Sequence, residues 1–195
     1  MRTIQTTNSS LEHALLGLLD QKPRSGYDLR KIFGSTPLAH FSDSPGAVYP
    51  ALRRLEARGW IAPVASRPEG GRGRRALCMT VAGRRAFLAW LALPPTREEV
   101  VRDISAIYLR FAFMSQAVPN AVPLRFLAEL RRLLAAHVAS LEGYCEAASE
   151  HMTPTGRIVF EHGVDGFRHA LKWCAHAERA LRAEKPKTGK TRRRS

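Results

Sequence analysis

The chain has 195 residues, 45% of them hydrophobic and 25% charged, an ordinary balance for a globular protein of one large domain or two small ones. Its net charge of +14, from 31 Lys and Arg against 17 Asp and Glu, points to a polyanionic partner, with nucleic acid ahead of an anionic membrane surface. Three distant cysteines without a CxxC pair argue against a disulfide scaffold or structural zinc; no apolar run spans a membrane and acids break the N-terminal one, so a cytoplasmic protein without metal or cofactor is expected.

In chain order, Ser9 and Glu12 fit a capping box that opens a short helix through Leu19, with Leu11, Leu15 and Leu18 on one face. Ser25 caps a second short helix, with Leu29, Ile32 and Phe33 facing inward and Gly34 and Pro37 ending it. In "SPGAVYPALRRLEARGWI", residues 44–61, Val48, Leu52 and Leu55 form a buried helical stripe, Ala47, Pro50, Arg53 and Arg54 lie on the opposite side, and Gly59 stops the helix. Pro50 either starts the helix proper after a separate turn or bends one continuous helix. "WIAPVAS" and "RRALCMT" read as two short strands joined by the glycine-rich loop "RPEGGRG", Pro63 marking a free edge. Thr80 caps a helix through Leu91, which Pro94 and Pro95 close.

The second half reads as helical. Thr96 and Glu99 form another capping box, and Ile104, Ile107, Phe111 and Met114 follow on one face. Pro119 and Pro123 bracket a break. Leu127, Leu130, Leu134, Leu141 and Tyr144 then fall on heptad positions with His137 interrupting, and Thr153-Pro154 opens a last helix striped by Phe160, Val164, Phe167, Leu171, Cys174 and Leu181. The final "KPKTGKTRRRS", residues 185–195, holds six positive charges and no apolar residue, and is expected to be disordered.

Three short helices, a two-stranded hairpin and a further helix, in that order, predict a mainly α protein. A winged helix-turn-helix domain over residues 1–92 is followed by a helical dimerisation domain over 96–184. The third helix is the reader, sized for a DNA major groove, and arginine suits it because its fork meets guanine or phosphate bidentately. The candidate DNA-contacting residues are Ser44, Ala47, Tyr49, Pro50, Arg53 and Arg54 on the reader segment and Arg72, Arg74 and Arg75 on the wing, beside glycines that let the backbone approach a phosphate. Residues 44–85 hold nine arginines against two glutamates, so the basicity concentrates where the interface is expected.

"ALLGLL" (14–19), "SGYDL" (25–29), the 44–61 stretch and "GRGRRALCMTVAGRRAF" (71–87) resemble the PadR family of transcriptional regulators. The resemblance covers about residues 10–92, and residues 96–184 resemble the family's helical dimerisation region only in length and periodicity. It implies a homodimeric winged-helix repressor that binds a pseudo-palindromic operator in double-stranded DNA. Ala47 departs from the polar side chain that relatives often carry there. Some relatives sense small aromatic ligands, which makes Trp90, Phe160, Phe167 and Trp173 candidates for lining a pocket for a hydrophobic or aromatic effector; plain core is the competing reading.

Other constellations carry less. "EGGRGRR" lacks the spacing of a nucleotide cradle. His162, His169 and His176 recur every seven residues, about 10.5 Å apart along a helix, too far for two to share an ion unless a partner helix supplies ligands, and solvated or interface histidines are expected. No catalytic set is recognisable, so no enzyme is expected. The rival reading is a basic structural protein that binds DNA or RNA through charge alone, without sequence preference.

Overall fold

The computed structural model describes residues 3–36, 38, 46–64 and 75–184, with the backbone alone for residues 3–9, 116 and 149. Two compact units result: one of residues up to Leu93 together with Tyr108–Val118, the other of Pro94–Ile107 and the residues from Pro119 on.

The first unit is built around helix α1 (Thr3–Gln21), which packs against α3, α4 and β3. Leu11, Ala14, Leu15, Leu16, Leu18 and Leu19 are all buried, so α1 is covered on more than the single face its leucine spacing suggests. The expected capping box at Ser9 and Glu12 is corrected: the helix already runs from Thr3, which leaves Ser9 and Glu12 inside it, and Glu12 is nearly inaccessible at 5% exposure. Strand β1 (Arg24–Ser25) leads into α2 (Gly26–Ser35), where Ser25 caps as predicted. Its hydroxyl accepts the Asp28 amide at 3.2 Å, and the Asp28 carboxylate returns to the Ser25 amide at 3.3 Å. Leu29 and Phe33 face inward.

Helix α3 (Val48–Ala57) buries Val48, Ala51, Leu52 and Leu55. Gly59, at φ +68°, makes the left-handed exit that an L side chain resists. Strand β2 (Ile61–Pro63) then pairs antiparallel with β3 (Ala76–Met79), Ile61 opposite Met79 and Pro63 opposite Leu77. The two-stranded wing of the sequence reading becomes a three-stranded sheet in the order β1-β3-β2, because Arg24 and Ser25 pair with Leu77 and Ala76 across the other side of β3. Pro63 does lie on an edge strand. Thr80 caps α4 (Val81–Ala92) by accepting the Gly83 amide at 3.0 Å, and its own amide donates to the Trp60 carbonyl at 3.0 Å. That carbonyl lies against Gly83, where a Cβ would collide with the oxygen. This is the winged helix-turn-helix arrangement the sequence predicts.

Helix α5 (Arg97–Arg102) has the Thr96–Glu99 capping box expected of it. Residues 96–117 are not one helix, however. Asp103 leaves helical geometry at φ −154°, ψ 61°, and α6 (Ile104–Ala112) and α7 (Met114–Ala117) follow as separate pieces. The first residues of α6 belong to the second unit; from Tyr108 on, the chain rejoins the first, burying Leu109, Arg110 and Met114 there. Phe113 stands edge-on to Phe87 at 6.1 Å and lies over Gly17, where a Cβ would come within 2.5 Å of its ring.

The second unit is dominated by an antiparallel pair, α8 (Ala121–Ala148) and α9 (Pro154–Ala183), joined through a 3-10 turn at Ser149–His151. The break before α8 falls at Val118–Asn120, and Pro123 sits buried in the helix's first turn, where its missing donor is not required. Leu127, Leu130 and Leu134 are fully buried as their heptad spacing predicts, whereas Tyr144 is 59% exposed. Thr153 caps α9 with Pro154 at its first position. The line α9 buries is Val164, Ala170, Cys174, Ala177 and Glu178; Phe160, Phe167, Leu171 and Leu181 flank it half-buried. Burial pushes the Cys174 thiol up to about 11, so it stays protonated at neutral pH.

Candidate nucleic-acid interface

The residues singled out on the reader segment sort by their angle around α3. Ala47 stands at the N-cap with no side-chain cap bond, and the first intrahelical bond runs from the Ala51 amide to the Ala47 carbonyl at 3.1 Å. Pro50 is therefore the third residue of the helix, inside the first turn, where an amide would have no intrahelical acceptor. The helix runs through it without a break. Tyr49 is 43% exposed, and its ring lies over Gly26 at the start of α2, where a Cβ would come within 3.0 Å of it. Arg53 projects from the outermost line, exposed, and among the described residues no carboxylate pairs with it.

Arg54 is placed differently. Its Nε donates to Glu12 Oε1 at 2.6 Å, and Arg58 Nη1 donates to Glu12 Oε2 at 2.6 Å. Arg58 also lies over the Trp60 ring, 5.2 Å from its centroid. Glu12 is thus a residue of the site that sequence reasoning took for a cap. The signal was there, an acid inside the run "LEHALLGLL", but nothing local says which cation answers it. On the other flank of α3, Glu56 pairs with Arg75 of the wing at 3.0 Å. Asp20 of α1 pairs with Arg84 of α4. Among the described residues, Arg54, Arg58, Arg75 and Arg84 are therefore each paired with a carboxylate. Near the exposed tyrosines, Arg30 of α2 lies 5.8 Å from the Tyr27 ring centroid. Ser44, Arg72 and Arg74, and the tail at 185–195, lie outside the described residues.

Of the four candidates for an effector pocket, one lies in the first unit and three in the second. Trp90, in the first unit, stacks on His13 with centroids 4.3 Å apart and planes at 8°. In the second unit Phe167 meets His137 edge-on at 4.6 Å, Phe160 meets Tyr144 at 5.6 Å, and Trp173 is half-buried further along α9. A cleft of about 280 Å³ does open in the first unit, beside Gly17, Leu18, Asp20, Phe87, Ala112 and Phe113. His162, His169 and His176 are all exposed along α9.

A helix that turns an arginine and a tyrosine outward beside a three-stranded wing is the arrangement of a groove-reading module. A family profile described as the transcriptional regulator PadR-like family matches residues 15–89, the segment holding the C-terminal part of α1, α2, α3, the sheet and most of α4. That segment resembles the PadR-like family of transcriptional regulators. Among solved structures similar to this chain, a PadR-like regulator from Bacillus cereus is 23% identical, covering 90% of this chain and 99% of its own, with a TM-score of 0.39. Bacillus subtilis PadR, solved in complex with operator DNA, is 20% identical over 88% and 98%, with a TM-score of 0.41. The Vibrio cholerae virulence activator AphA is 22% identical over 89% and 98%, at 0.39. None of the curated proteins compared matches it. Among the described residues, no helix of this chain is long and apolar enough to cross a membrane.

Proposed function

We propose that this PadR-like chain acts as a homodimeric repressor that reads a pseudo-palindromic operator in duplex DNA. Helix α3 enters the major groove, Arg53 and Tyr49 face base edges, and the wing arginines meet phosphate. The observation that carries this reading is the division of α3: one side is closed by Val48, Ala51, Leu52 and Leu55, while the opposite side presents Arg53 with no described carboxylate to hold it. A guanidinium in that position can bond two acceptors of one guanine at once, which a merely solvated arginine never does. The α8–α9 pair supports self-association, since Ile158 and Val159 leave 64% and 69% of their surface exposed. Two-fold pairing would set two copies of α3 about 34 Å apart, or a multiple of it, as half-sites of a palindrome require.

Selection of bound fragments from a random duplex pool tests the reading. One palindrome should be enriched and bound about 10³-fold or more tightly than random sequence. Enrichment of no sequence, with affinity that follows only ionic strength, would leave the charge-driven binder in its place.

A further inference from the structure

Glu12 is the one acid among α1's buried leucines, its side chain 7% exposed between Leu11 and Leu15. A carboxylate taken out of water needs strong partners, and both its oxygens have one: Arg54 Nε and Arg58 Nη1, each at 2.6 Å. The two arginines are one turn apart on α3, on the flank between its buried line and the outward line of Arg53. They are not sealed in. Their side chains keep 39% and 47% of their surface exposed, so the pair sits at the boundary of the proposed interface.

A helix in a major groove meets bases along its outermost line and phosphates along its flanks. Two arginines on a flank would add affinity for any duplex, whatever its sequence, and so lower the ratio of specific to non-specific binding. Glu12 opposes this in two ways: it places a negative charge behind the flank, and it draws both guanidinium groups toward α1.

We propose that Glu12 is a specificity-determining positioning residue, which holds Arg54 and Arg58 back from the DNA backbone so that discrimination rests on Arg53 and its neighbours. The inference rests on the DNA-binding reading above, and its test separates the two. Glu12→Gln in the full chain keeps the shape and an acceptor while removing the charge. Binding to a random-sequence duplex, followed by fluorescence anisotropy over a range of salt, should tighten at low salt, and log affinity should fall more steeply with log salt by about one to two. A purely structural role would weaken binding instead. The steepening should vanish in the triple variant Glu12→Gln, Arg54→Gln, Arg58→Gln, and its persistence there would overturn the proposal. Should Glu12→Gln fail to fold, Arg54→Gln with Arg58→Gln in the otherwise unaltered chain decides. The proposal expects the slope to change by less than about one, whereas a fall of about two would mean both arginines already hold phosphates, and would overturn it. An unaltered slope in folded Glu12→Gln sinks this inference alone; an unaltered chain that binds no duplex sinks the DNA-binding reading with it.

Discussion

Consecutive arginines on α3 meet different surroundings because a helix turns about 100° per residue: Arg53 leaves toward solvent, and Arg54 swings toward α1, where Glu12 takes its Nε. Arg53→Ala should therefore cost about 1–3 kcal/mol of operator binding and relax preference at one base pair, read by measuring affinity across single-base operator variants. A uniform loss across all variants would reassign Arg53 to a phosphate. A second residue-scale effect lies in the other unit. His137 Nδ1 is buried without a hydrogen-bond partner among the described residues, and the ring stands edge-on to Phe167. Burial first, and the charge of Arg97 second, lower its pKa below the ordinary 6.5. The unfolded chain then takes up a proton at higher pH than the folded one, so this contribution to stability is fully present above the unfolded value and is lost as pH falls below about 6.5. His137→Leu should flatten that part of the curve of unfolding free energy against pH, as urea titrations at several pH values would show. An identical curve would mean the ring is as well solvated folded as unfolded.

At the scale of the element, Pro50 is harmless because of where α3 starts. Its own amide would have had no acceptor, so Pro50→Ala should change stability by less than about 0.5 kcal/mol. Ala51→Pro, one residue on, deletes the bond from the Ala51 amide to the Ala47 carbonyl and should cost about 3 kcal/mol. Urea midpoints of the two variants check the contrast; equal losses would move the helix start. The same locality explains what the sequence made legible. Ser25, Thr80, Thr96 and Thr153 were readable as caps because a cap is a contact between residues three apart. Strand β1 was not, since Arg24 and Ser25 become a strand only by meeting Leu77 and Ala76, half a domain away. The Glu12 pairs with Arg54 and Arg58 join residues 42 and 46 positions apart, beyond any local pattern. The break at Asp103 was hidden because apolar residues continue in helical phase on either side of it. On α9 the eye follows the large side chains, but the buried line runs through Ala170 and Ala177, and Phe160 and Phe167 are left half-buried on its flanks.

At the scale of the whole molecule, self-association is the property on which a palindromic reading depends. Ile158 and Val159 are adjacent, strongly exposed and close to the turn that joins α8 to α9, with no packing role inside the chain to lose. Ile158→Glu with Val159→Glu should leave thermal unfolding of the chain little changed while sedimentation shifts from dimer to monomer at micromolar concentration. A monomeric unaltered chain that still binds a palindrome tightly would remove the dimer from the proposal.

The return of Tyr108–Val118 to the first unit has a consequence for how that unit is made. The residues that read DNA in the proposed function are complete by Leu93, yet Phe113, which lies over Gly17 and against Phe87, is translated twenty residues later. Arg110, Leu109 and Met114, all buried in the same unit, come equally late. A chain emerging from the ribosome grows by roughly 5–20 residues each second. For the first seconds after Leu93 appears, the surface of α1 at Gly17 and the Phe87 side of α4 lack the cover that Phe113 gives them. Vectorial synthesis thus delays closure of the first unit until Val118 is clear of the exit tunnel, and a nascent chain stalled between those two points should be protease-sensitive in α4, far from the end at which it was stopped.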